Sequence, residues 1–101
     1  MIRLGEEFYQ HIDNYKKVFS KSTRNYDPNQ IDLLQEECSE LIQALSKLKR
    51  GKQCAKLGII EEMSHVLISI NLVADVLGIK SEQINNYVEE KDKILRDILG
   101  E

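Results

Sequence analysis

The chain has 101 residues, with 14 lysines and arginines against 17 aspartates and glutamates, for a net charge of −3. That length fits a single domain, 1–101, and a lone chain of this size buries only about two thirds of its unfolded surface. One proline, no tryptophan and 42% hydrophobic residues exclude a disordered tail or a fibrous repeat, and the mild acidic balance excludes general binding to nucleic acid or an anionic membrane.

In chain order, a first helix is predicted from about Leu4 to Phe19, with Phe8, Ile12, Tyr15 and Phe19 at spacings of three and four. Ser20 to Tyr26 is polar and reads as a connection. Asp27-Pro28 then supplies an N-cap and a first-turn proline, with Gln30 at the capping-box position. The second helix runs to about Lys49 and stops near Gly51. A linker over Gly51–Leu57 leads to a third helix ending at Leu77-Gly78, with glycine as its C-cap. Ser81 is expected to cap a fourth helix, Glu82–Leu99, whose inward face carries Ile84, Val88, Leu95 and Leu99. No segment alternates with period two, so the expected fold is all-α, a four-to-five-helix bundle-type domain with its motif-bearing core over about 27–99.

The third helix is apolar nearly all round, more than one short chain can cover, so completion by homo-oligomerisation is expected. Its apolar stretch, Met63–Ile79, is about long enough for a thin bilayer, but His65, Ser69, Asn71 and Asp75 interrupt it and favour a buried helix of a soluble protein. Arg3, Glu6 and Glu7 stand where a secretory signal would need an apolar run. Cys38 and Cys54 make no disulfide framework, which suits a reducing cytoplasm.

The second helix carries two stripes. Ile31, Leu34, Cys38, Leu41, Leu45 and Leu48 repeat as a packing seam. Beside it Leu33, Glu37, Glu40 and Ala44 form a second stripe, in which apolar residues bracket two carboxylates one turn apart. Such a pair repels by a few tenths of a kcal/mol even in water, and Glu36 adds a third carboxylate nearby. A solvated acidic face explains this pattern; a divalent cation, for which clustered carboxylates are ligands, is the alternative.

On the third helix Glu61, Ser64, Asn71 and Asp75 share one arc, the expected wet side. Glu62, His65 and Ser69 fall on another, with Glu62 about 140° from the centre of the wet arc. A lone histidine there reads as a satisfied core residue. A carboxylate amid aliphatic surface needs a partner, however, and Glu62 and His65 occur together. Two helices each presenting ligands at i and i+3 look like two halves of one metal site.

These residues carry a resemblance. Gln35-Glu36-Glu37-Cys38-Ser39-Glu40-Leu41 resembles the Glu-Glu-x-x-Glu motif of the MazG-like all-α nucleoside triphosphate pyrophosphohydrolases. Glu61-Glu62-Met63-Ser64-His65-Val66-Leu67 resembles their Glu-x-x-Asp motif, and Ala74–Ile79 and Glu90-Lys91-Asp92 are similar to the family's helix end and Lys-Asn region. The likeness spans about Ile31 to Ile94. It implies hydrolysis of an NTP or dNTP to the monophosphate and pyrophosphate by a cytoplasmic homodimer or homotetramer. Glu37, Glu40 and Glu62 would be ligands of Mg2+, and Glu36 a further ligand or the catalytic base orienting water. His65 stands at the fourth metal position, where the family has Asp, and its imidazole suits Mn2+ better than magnesium. Lys91 and Asp92 would meet substrate, and the basic run Lys47, Lys49, Arg50 and Lys52, with Lys56, is a further source of phosphate contacts. Glu62-x-x-His65 is also the element of carboxylate-bridged di-iron or di-manganese bundles. A third possibility is an inactive interaction module that keeps the fold.

Overall fold

The computed structural model describes the backbone of residues 1–22 and 26–101, and the side chains of 1–17 and 30–101. Four helices follow in order: α1, Glu6–Ser22; α2, Tyr26–Lys49; α3, Ala55–Leu77; and α4, Ser81–Leu99. There is no strand among the described residues, so the all-α expectation holds.

Several boundaries move. Helix α1 starts and ends later than its periodicity suggested, taking Ser20–Ser22 from the expected connection. The expected N-cap at Asp27-Pro28 lies outside the described side chains, and α2 already begins at Tyr26. The capping box expected through Gln30 does not form: the Gln30 side chain is 1% exposed and both its polar atoms lack a hydrogen bond. Helix α3 begins at Ala55, inside the expected linker, after a Cys54 held at φ 63. Ser81 is the first residue of α4 rather than its cap; Lys80 takes that place, its N–H donating to Gln83 Oε1 at 2.8 Å.

Helix α2 ends in a left-handed glycine turn. Gly51 has φ 72, its N–H donates to the Leu48 carbonyl (2.9 Å), and the Lys52 N–H reaches back to the Lys47 carbonyl (3.2 Å). A side chain at that φ is strained, so glycine makes the turn available. The chain then reverses within a few residues, and α2 and α3 form a tightly packed antiparallel hairpin. Helix α1 lies more lightly on α3, seating Ile12 at 3% exposure; Lys16 Nζ meets Asp75 Oδ1 at 3.2 Å. Leu72, also 3% exposed, and Val73 fill the contact zone on α3.

The face that α2 turns inward carries Gln30 and Ala44 buried, with Leu33 and Glu37 partly buried. It is rotated by about 70° from the aliphatic seam expected to pack. Of that seam only Leu34 and Leu41 are partly buried, while Ile31, Cys38, Leu45 and Leu48 are exposed. Helix α3 behaves alike. Ile59, Ser69, Leu72 and Val73 are buried, whereas Ile60, Met63, Ile70 and Leu77, at the same heptad spacings, are exposed by 39% to 56%. In an antiparallel pair of right-handed helices these two seams lie on the same side, so the hairpin presents one double-width aliphatic face. The expected inward face of α4 is uncovered too: none of its residues is buried. The radius of gyration, 16.5 Å, exceeds the roughly 13 Å of a compact chain this long.

Candidate metal centre

The hairpin turn determines which residues meet. In an antiparallel pair, residues equally distant from the turn lie opposite one another, and with Gly51 as pivot Glu37 opposes His65 and Glu40 opposes Glu62. The side chains agree with this register. Glu37, Glu40, Glu62 and His65 each offer one ligand atom, and the four atoms lie within 4.8 Å of one another. Two helices, each giving residues one turn apart, thus close a four-membered donor set.

His65 Nδ1 stands 3.2 Å from Glu37 Oε2 and 3.5 Å from Glu62 Oε2. Both oxygens are enclosed and neither has a hydrogen-bond donor in good geometry. The Glu37 and Glu62 side chains are only 20% and 19% exposed, His65 is half-exposed at 40%, and Glu40 opens to solvent. Anionic oxygens withdrawn from water without donors cost several kcal/mol unless something positive compensates them. Among the described residues, the only nitrogen within ion-pair distance of these oxygens is His65 Nδ1, shared between the two carboxylates. The donor set therefore fits a divalent cation: three carboxylates and one imidazole, spanning little more than twice a typical ~2.1 Å magnesium–oxygen bond. Imidazole in that set favours Mn2+, Fe2+ or Zn2+ over Mg2+.

A cavity of about 520 Å³ opens beside the donor set, between the end of α2 and the start of α3. Small residues create it. Ala44 opposes Gly58 across the hairpin, and a Cβ built on Gly58 would touch nothing within 4 Å. Glycine within a helix costs ~1 kcal/mol relative to alanine, so this opening is bought with helix stability. Glu40, Glu61 and Glu62 line one part of the cavity; Lys47 and Lys52 line another.

Other residues expected at the site lie elsewhere in the chain. Glu36 is exposed on α2 and outside the group of four. Lys91 and Asp92 sit on α4, lining a groove made only of α4 residues, and the chain does not bring them to the donor set. Asp92 is engaged by Arg96, whose Nε and Nη2 donate to Oδ2 at 2.9 and 2.6 Å. That hydrogen bond, with the attraction between the two charges, raises the Arg96 pKa above its ordinary value. Sequence reasoning did not single out Gln43 or Gln53, which also line the cavity, nor the role of Gly58 in opening it. The pairing of Ala44 with Gly58 was a readable signal once the antiparallel register was known. No family model matches the chain, and no curated protein or solved structure matches it.

Proposed function

We propose that this chain is a divalent-metal-dependent nucleoside triphosphate pyrophosphohydrolase, converting an NTP or dNTP to the monophosphate and pyrophosphate. The observation that carries the reading is the convergence of Glu37, Glu40, Glu62 and His65, with two enclosed carboxylate oxygens lacking donors, beside a cavity sized for a ligand that Glu40 and Glu62 also line. The motif resemblance supplies the reaction class. Glu37, Glu40, Glu62 and His65 would hold Mn2+ or Mg2+. A bound cation would supply Lewis-acid polarisation of phosphate oxygens and lower the pKa of water. Glu36, exposed one turn before Glu40 and outside the group of four, would be the proton-accepting group in this reading. His65 limits magnesium use, as a borderline ligand in an otherwise hard set.

The functional unit in this reading is a homo-oligomer. The double-width face of α2 and α3 is supported as a self-interface because both seams keep heptad spacing and a two-fold copy would complete a four-helix layer. In such an assembly Lys91 and Asp92, which line a groove of α4 residues alone, would meet the donor set of the second copy. We also take the apolar α3, which is long enough to cross a membrane by length and composition, as a helix of a water-soluble domain in the cytoplasm; Glu62, His65 and the Lys16–Asp75 pair along it favour that over a lipid setting.

The test is a panel of NTPs and dNTPs with Mg2+ or Mn2+, scored for pyrophosphate. Metal-dependent release that Glu37→Gln abolishes supports the reading; silence across the panel at high protein concentration refutes it. A second reading, a carboxylate-bridged di-iron or di-manganese bundle, is favoured by the presence of His65 in the donor set. Two tightly held irons per dimer after purification would select it instead.

A further inference from the structure

The cavity beside the donor set has an unexplained basic end. Lys47 and Lys52 both line it, and neither has a carboxylate within ion-pair distance among the described residues. Their proximity is built rather than incidental: the left-handed turn at Gly51 ties the Lys52 N–H to the Lys47 carbonyl, holding both residues at the same end of the hairpin. Both residues are thus kept at the turn end of the cavity, while Glu40, Glu61 and Glu62 line the same space toward the donor set. The volume between them is kept open by Ala44 and by Gly58, whose missing side chain leaves empty space.

A space acidic at one end and cationic at the other, on two sides of a gap, matches a ligand that is itself divided: a divalent cation chelated by a chain of phosphates. The carboxylates take the cation and the lysines take the phosphate oxygens, each pairing charges that the bare protein leaves unbalanced. A simple monoanion satisfies only the lysines, and a bare cation only the carboxylates. We infer that Lys47 and Lys52, with the opening made by Gly58, form a polyphosphate subsite continuous with the metal centre, and that they, rather than Lys91 of the same chain, bind the phosphate chain of a metal-chelated nucleotide and retain pyrophosphate after cleavage. This rests on the metal reading above and assigns the ligand of its adjoining cavity.

The test uses the full chain, with Mn2+ and inorganic pyrophosphate as probes. Mn2+ uptake is followed by electron paramagnetic resonance and pyrophosphate binding by calorimetry at saturating Mn2+, for wild type, Lys47→Ala/Lys52→Ala, Gly58→Leu and, as a control for bulk charge, Lys93→Ala. The subsite predicts that wild type binds pyrophosphate only with Mn2+ present. The double lysine variant should lose at least tenfold in pyrophosphate affinity, with KM for a cleaved nucleotide rising by a similar factor and Mn2+ uptake unchanged. Gly58→Leu should also block pyrophosphate while keeping Mn2+, and Lys47→Arg/Lys52→Arg should restore binding to within about threefold. Lys93→Ala should behave as wild type. Mn2+ uptake with pyrophosphate affinity within twofold of wild type in the double alanine variant overturns the subsite alone. A wild-type protein that takes up no Mn2+ overturns the metal reading and the subsite with it.

Discussion

The α2–α3 hairpin and α4 are both amphipathic, yet they spend that property in opposite ways. The hairpin closes on a mixed face: Gln30, Glu37, Glu62, Ser69 and the small residues Ala44 and Gly58 turn inward beside Leu33, Ile59, Leu72 and Val73, and much of two aliphatic seams stays exposed. Helix α4 closes on nothing, its Ile84, Val88, Leu95 and Leu99 exposed alongside its charges. A hairpin folded with carboxylates inside sacrifices packing for a site, and such a sacrifice is tolerable when a ligand and a partner restore what was lost. Helix α4, 19 residues long, gains no such site, and a helix in a protein draws most of its stability from packing its apolar face. The difference separates two features of one chain: enclosed carboxylate oxygens on the hairpin's inner face, which the proposed cation would meet, and exposed apolar surface on its outer face and on α4, which the proposed second copy would cover.

The largest expected effect is on the inner face. Glu37→Gln removes the carboxylate nearest His65 and is expected to lower pyrophosphate release by about two orders of magnitude or more, measured under saturating Mn2+. The outer face comes next. If the seams form the proposed self-interface, wild type should be a dimer or tetramer by light scattering, aspartate at Leu45 and Ile60 should convert it to monomers, and single changes on the wet arc, such as Ser64→Asp, should leave assembly intact. An unaltered mass for the double variant would break the contrast between the two faces.

Metal choice should move by a smaller factor. His65→Asp replaces imidazole by a hard oxygen ligand, and activity with Mg2+ relative to Mn2+ is expected to rise about tenfold; no change would remove His65 from the site. Smaller still is the stability effect of the metal-free inner face. Glu62→Gln relieves an enclosed carboxylate without a donor, so the metal-free variant should unfold about 1–2 kcal/mol less readily in urea than wild type, while added Mn2+ should stabilise only wild type. The least effect belongs to the partly exposed Lys16–Asp75 pair, where a double-mutant cycle should give a coupling below about 1 kcal/mol.

Much of this was legible in the chain itself. The 3.6-residue period located four helices, and the position of Glu62 opposite the wet arc of α3 marked it as needing a partner, which His65 supplies in part while also facing Glu37. The orientation of α2 was not legible. An aliphatic seam is ordinarily the buried one, and only the opposing register of α3 reveals that Glu37 and Ala44 take that place. Lys52 joined Lys47 through a glycine turn, a conformation that leaves no periodic trace. For the same kind of reason α4 looked like a core helix: its pattern specifies an apolar face but says nothing of whether the cover comes from its own chain.

Central to the proposed function is that the side chains of Glu37, Glu40, Glu62 and His65 hold one cation. Crystals of the protein grown or soaked with Mn2+ and measured at a wavelength giving manganese anomalous scattering test it most directly. The prediction is an anomalous peak enclosed by Glu37, Glu40, Glu62 and His65, at coordination distance from each, that disappears in Glu62→Gln crystals. Density for the four side chains with no peak among them, or a peak that persists unaltered in the variant, would contradict it.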